Sequence, residues 1–172
     1  MSSSPSAQQV QVGTSALIFN AKNPDEFLIG WRISKSHGTN SWQLPGGHLD
    51  LEEEVEDCAE REANEETGLN VKAIGEITWT NDIFKNEDPS LVKHYITHHI
   101  ACEMLEADAV PQITEPDKCA EWRWETREGL EKRQKNGEEL FLPLESLLKK
   151  TSGTDQLRNP KVRSDGARGR EQ

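Results

Sequence analysis

The stretch from Gly47 to Leu69 constrains this chain more than any other. Pro45-Gly46-Gly47 reads as a tight turn. Asp50 can cap a helix, with Glu53 three residues on as in a capping box. Gly68 can close that helix, and Leu69 can supply the apolar contact that accompanies such a cap. Between these limits Val55, Cys58, Ala59 and Ala63 form a narrow apolar stripe that must face a core. Glu62, Glu65 and Glu66 stand three and four residues apart and share a face. They occupy the helix end where exposed carbonyls already carry partial negative charge. Folding alone gives no reason for that arrangement; a divalent cation does.

The flanking sequence alternates between strands and one further helix. Val10, Val12, Thr14, Ala16 and Ile18 keep a period of two, which predicts a strand. Residues 20–25 read as a turn and residues 26–31 as a second strand, completing a hairpin. Residues 34–41 form a polar loop, followed by a short extended piece at Trp42-Gln43-Leu44. Residues 71–79 read as a strand, 81–90 as a polar loop and 95–102 as a strand with His98 and His99 on opposite faces. Residues 120–124 form a short aromatic strand. Residues 139–150 read as a helix with Leu140, Leu144, Leu147 and Leu148 on its apolar side. The expected fold class is α+β, an α/β/α sandwich with a mixed sheet between helices. One domain is expected over residues 10–150, with residues 1–9 and a basic tail at 151–172 disordered.

Charge and cysteine usage narrow the partners. The net charge is −11. From Thr151 onward five basic residues face three acidic ones, a net of +2, so the remainder carries −13. Such a surface repels a long nucleic-acid backbone, but a small phosphorylated ligand remains compatible because bound cations invert the local field. Cys58, Cys102 and Cys119 form no CxxC pair, which suits reduced thiols in a cytoplasmic protein. Cys58 sits among acids that would raise its thiol pKa, so it is a poor nucleophile. No segment is long and apolar enough to cross a membrane. Met1-Ser2-Ser3-Ser4-Pro5-Ser6 has no basic residue and no apolar run, unlike a secretory signal.

Simpler readings of the same residues exist. The glutamates could be a solvated face, and Arg61, with Asp57 and Glu65 four residues to either side, could hold surface ion pairs of about 0.3–0.5 kcal/mol each. Gly46 and Gly47 could serve backbone freedom alone. His94, His98 and His99 lack partners at zinc spacing.

Taken together, the fixed positions Gly47, Glu53, Arg61, Glu62, Glu65, Glu66, Gly68 and Leu69 resemble the signature of the Nudix hydrolases over 23 residues. Ala63 is the one departure, smaller than the aliphatic residue usual there. The resemblance implies Mg²⁺, with Mn²⁺ as substitute, held chiefly by Glu62 and Glu66 with help from Glu65 and the Gly46 carbonyl. Magnesium favours about six oxygens and keeps several as water. Glu53 and Arg61 would pair to hold the carboxylates, and Glu65, Glu66 or a loop residue would be the general base.

Similarity to the nucleoside triphosphate diphosphatase branch, of the purine and modified-guanine type, extends over residues 10–150. It is carried by residues 13–32, by Trp42 to Asp50, by His94-Tyr95-Ile96-Thr97 and by Glu121-Trp122-Arg123-Trp124. It implies cleavage of a nucleoside triphosphate to monophosphate and pyrophosphate. Gln43, Leu44 and Thr97 would line a base pocket that Phe141 and Leu144 close. Arg32 could neutralise a phosphate, and His48 could touch one or equally be a neutral loop histidine. Phe141 and Leu144 could equally be ordinary core. Pro143 has no N–H, which removes a backbone donor at that point. Two other readings stay open: another nucleoside diphosphate-linked or organic diphosphate substrate, and a metabolite-binding module without catalysis. The resemblance also allows a homodimer.

Overall fold

Alternation along β1 (Gln11–Phe19) builds two cores, one on each side of the sheet. The computed structural model describes residues 9–88 and 92–162. Ala16 and Ile18 join Leu28, Ile100 and Cys102 against Ala59 and Ala63 of α1 (Val55–Thr67). Leu17 and Phe19 join Phe27, Ile29 and Ala101 against Leu144, Leu147 and Leu148 of α3 (Leu142–Lys150). Each of those leucines contributes about 1.5–3 kcal/mol by leaving water. Ala63 is fully buried, so the small residue fits closely under α1.

The remaining strands are β2 (Glu26–Arg32), β3 (Ser41–Gln43), β4 (Gly46–His48), β5 (Val71–Phe84), β6 (Lys93–Met104), β7 (Cys119–Thr126) and β8 (Glu139–Leu140). They form one mixed sheet of order β5-β6-β1-β2-β3-β8, with β4 added to β1 and β7 to β2. β1 runs parallel to β6 and antiparallel to β2 and β4. It meets β2 at Phe19↔Phe27 but β4 over Gly13↔His48 to Ser15↔Gly46. The sheet therefore forks along β1, and the fork opens a cavity. The architecture is the expected α+β fold, with a mixed sheet between α1 and α3.

Several local expectations change. Pro45-Gly46-Gly47 is no simple turn: Gly46 and Gly47 enter β4, because β1 offers them ladder partners. α1 begins at Val55 rather than Asp50, and Asp50 is not its cap; Glu54 holds that position, with no side-chain cap bond. Glu53 accepts a bond from the Asp50 N–H (3.0 Å) while Arg61 grips its carboxylate, which keeps this segment outside the helix. Residues 81–84 extend β5 instead of starting a loop, and residues 89–90 of that loop lie outside the described residues. The helix expected from residue 139 starts at Leu142, after β8, since Pro143 fits only a first turn.

α2 (Arg127–Lys135) went unforeseen because it buries only Leu130 and shows no apolar stripe. Its signs were local: the Thr126 hydroxyl accepts from the Gly129 N–H (3.0 Å), and Lys132, Arg133 and Lys135 crowd the last turn. Nor does packing end at Lys150. Thr151 and Leu157 are buried, Arg158 pairs with Asp25 and Lys161 with Glu103. The disorder expected for 151–172 is not what residues 151–162 show. Residues 1–8 and 163–172 lie outside the described residues. Among the described residues no helix is long and apolar enough to cross a membrane.

Candidate active site

Gly68 ends α1 in the left-handed conformation (φ 69°), with its N–H on the Asn64 carbonyl at 2.8 Å. Glu62 and Glu66 thereby face β4 across a close approach. A Cβ on Gly47 would collide with the Glu62 carboxylate, and one on Gly46 with the Thr14 carbonyl of β1. The Gly46 N–H donates to Glu66 Oε2 at 3.1 Å. Cys58 fastens the same junction: it accepts from the Thr14 hydroxyl (3.1 Å) and donates to the His48 carbonyl (3.3 Å).

Arg61 organises the acids. Its guanidinium takes Glu53 with two bonds (2.8 and 3.0 Å), Glu62 with one (2.8 Å) and Glu65 with one (3.3 Å), and it donates to the His48 carbonyl (3.2 Å). Arg61 holds Glu53 down at about 2, the paired side of a divided set. Burial pushes Glu66 up to about 8, with Glu62 and Glu115 adding to the rise and the Gly46 N–H opposing it. Burial also raises Glu62, against the pull of Arg61. Two desolvated carboxyls on one face, of which Arg61 reaches only Glu62, form a site that gains by accepting positive charge.

The donor chemistry suits a hard divalent cation, to which Glu62 and Glu66 offer oxygens. Among the described residues no three His, Cys, Asp or Glu side chains gather as a complete metal cage. Such an ion would take its remaining oxygens from backbone, water and ligand phosphate, the usual pattern for magnesium.

These acids form one end of a cavity of about 510 Å³. At the other end Phe84 and Phe141 lie 5.3 Å apart, His37 lies 4.4 Å from Phe84, and Tyr95 meets Phe84 edge-on at 5.9 Å. Burial and nearby Lys93 and Arg32 lower His37 to about 4, so this ring is a neutral surface.

Every residue singled out from sequence except Glu53 and Arg61 lines this cavity: Gly46, Glu62, Glu65 and Glu66 at one end, with Arg32, Gln43, Leu44, His48, Thr97, Phe141 and Leu144. Glu53 and Arg61 stand behind the acids. Leu144 is both core and cavity wall. Arg32 lies 4.7 Å over the Phe141 ring and donates to Gln43 Oε1 (2.9 Å), the His37 carbonyl (3.1 Å) and Ser36 (2.8 Å). It braces the aromatic end, which the phosphate role expected of it did not foresee. His48 bonds the Tyr95 hydroxyl at 2.9 Å.

Sequence reasoning passed over Phe84, Lys93, Glu115 and Lys118, which also line the cavity. Lys93 and Tyr95 share the period-two face of β6 with Thr97, and that alternation was the available signal. Glu115 and Lys118 precede β7 in a segment without periodicity and pair at 2.6 Å. Cys58 rises to about 11 through burial first, with the acidic neighbour Glu53 adding less.

Comparison with known proteins bears on the fold and the family. The NUDIX domain family model matches residues 9–144, more than half of the chain. A MutT protein from Methanosarcina mazei Go1 superposes with a TM-score of 0.61 at 22% identity, over 84% of this chain and 94% of that one. For a MutT NUDIX hydrolase from Burkholderia pseudomallei the values are 0.59 and 23%, over 71% and 87%. A bifunctional NMN adenylyltransferase/ADP ribose pyrophosphatase from Francisella tularensis, complexed with AMP and a Mn ion, gives 0.59 and 19%, over 84% of this chain and 41% of that one. The chain belongs to the NUDIX domain family.

Proposed function

We propose that this protein is a hydrolase that cleaves a phosphoanhydride of a nucleoside triphosphate, releasing a nucleoside monophosphate and pyrophosphate with the help of Mg²⁺ or Mn²⁺. One observation carries the reading: a single cavity joins half-buried, cation-seeking carboxylates at one end to an aromatic and apolar chamber at the other. Phosphates suit the first and a nucleobase the second. When bound between Glu62 and Glu66, the cation would neutralise the polyphosphate and acidify a water molecule. The remaining work belongs to the chain. Glu53 and Arg61 hold Glu62 in place. Lys118 and Lys93 add positive charge along the cavity, and Phe84, Phe141 and Leu144 grip the base. Water adds to one phosphorus while the bridging P–O bond breaks toward the leaving pyrophosphate. We assign the displaced water proton to Glu65, whose side chain is more than half exposed at the cavity edge.

The Francisella relative named for ADP ribose pyrophosphatase supports a second reading, a nucleoside diphosphate linked to a sugar. One panel separates the two. Wild type and Glu66→Gln are incubated with purine and pyrimidine triphosphates and ADP-ribose in Mg²⁺, and products are resolved by chromatography. Pyrophosphate and monophosphate from a triphosphate support the first reading; turnover of ADP-ribose alone replaces it. Equal turnover by both proteins removes Glu66 from the chemistry.

A further inference from the structure

Behind the cavity a chain of buried polar groups links two of its walls. Ser15 on β1 contacts His99 Nδ1 at 2.6 Å, and His99 Nε2 contacts the Thr80 hydroxyl at 2.9 Å. The Thr80 and Thr97 hydroxyls each donate to Asp82 Oδ2 at 2.7 Å. All five residues are buried; Ser15 and Thr97 line the cavity, whereas Thr80, Asp82 and His99 do not.

The direction of every bond follows from proton count. A carboxylate only accepts, so Thr80 and Thr97 each commit their one hydroxyl proton to Asp82. Thr80 can then only accept from His99, which places the imidazole proton on Nε2. Burial holds His99 neutral by lowering it to about 3, leaving Nδ1 as a bare acceptor. Ser15 must therefore donate to Nδ1. Neither cavity-lining hydroxyl keeps a proton to offer a ligand. Asp82 Oδ1 has no hydrogen-bond partner among the described residues, so the donors found on this carboxyl are the two threonine hydroxyls at Oδ2.

We propose that Asp82 and His99 are positioning residues that fix Ser15 and Thr97 as hydrogen-bond acceptors toward the cavity, so that a bound ligand meets this wall with N–H or O–H donors. On the nucleotide reading, on which this rests, the wall selects among nucleobases by the donors along their edges. Gln43 complements it: its carbonyl is taken by Arg32, which leaves the amide N–H groups to face a base acceptor.

The test uses the full chain with ¹⁵N-labelled histidines. At pH 7 His99 is expected to be neutral with its proton on Nε2. Thr80→Val keeps the shape but removes the acceptor for that proton. The proton is then expected to move to Nδ1, which reverses Ser15 and turns its hydroxyl proton toward the cavity. The same proteins are assayed with GTP and ATP in Mg²⁺, and the ratio of the two kcat/KM values is expected to change at least fivefold. Thr97→Val, which leaves His99 untouched, should move the ratio but not the tautomer, and stands in should Thr80→Val fail to fold. A wild-type proton on Nδ1 overturns the inference. So does a ratio unmoved in Thr97→Val or after the tautomer has switched in Thr80→Val, and so does a folded Thr80→Val that keeps the proton on Nε2. If wild type hydrolyses neither these two nor any other nucleoside triphosphate, the proposed function fails instead, and the wild-type tautomer alone decides the hydroxyl direction.

Discussion

Glu66 ties stability, pH and cation binding together in a way that can be measured. Its carboxyl titrates near 4.5 in an ordinary setting and is raised to about 8 in the fold. Below pH 4.5 the group is neutral both folded and unfolded, and it costs nothing. Above that the unfolded chain ionises while the folded chain resists, so stability falls until the pH passes about 8. The full interval corresponds to a ceiling of about 5 kcal/mol. Because the carboxyl borders an open cavity, solvent screening reduces the expected loss to about 2–3 kcal/mol. For a chain of this size that is about 4–12 °C in Tm.

Glu66→Gln keeps a carbonyl for the Gly46 N–H and cannot ionise. Unfolding of both proteins is followed in EDTA from pH 5 to 8.5. The wild type should lose stability relative to Glu66→Gln as pH rises, and the difference curve cancels opposite contributions from His37 and His99, which both proteins share. Adding Mg²⁺ at pH 8 should restore the wild type by mass action and leave the variant nearly unchanged. Parallel pH profiles, or equal stabilisation of both by Mg²⁺, would refute the reasoning.

Other expectations follow from the same geometry. Arg61→Ala strips Glu53 and Glu62 of their common partner, and cation affinity read by titration calorimetry should fall about 10–100-fold. Phe141→Ala removes one aromatic wall; KM should rise about 5–150-fold with a smaller change in kcat, from a stacking contribution of about 1–3 kcal/mol. Burial raises Cys58 and Cys119 to about 11 and Cys102 to about 12, so a maleimide at pH 7.5 should leave all three unmodified in the native chain and label them in denaturant.

The sequence exposed its chemistry more readily than its boundaries. Glu62, Glu65 and Glu66 could be grouped because helical spacing alone places them together, and Gly68 marked the helix end through its own backbone preference. The start of α1 was harder to read: Glu53 belongs to Arg61 through a tertiary ion pair, and no local cap signal outweighs that. Gly46 and Gly47 looked like a turn because their strand character depends wholly on β1, a partner distant in the sequence. α2 was hidden by charge, since a helix anchored by Leu130 alone leaves no periodic trace. The acceptor wall behind Ser15 and Thr97 was invisible for another reason. It arises from three strands brought side by side, and its direction is set by where single protons go.

The segment after α3 has a practical consequence. Arg127 donates to the Thr151 carbonyl (3.2 Å), the Thr151 hydroxyl (2.8 Å) and the Leu148 carbonyl (2.7 Å), while Leu157 seals the adjoining core. A chain trimmed at Lys150 would keep every charged group of the phosphate end yet loosen the brace behind Leu144. Shortened versions should therefore weaken first in their grip on the organic half of a substrate, long before their capacity to attract its phosphates is touched.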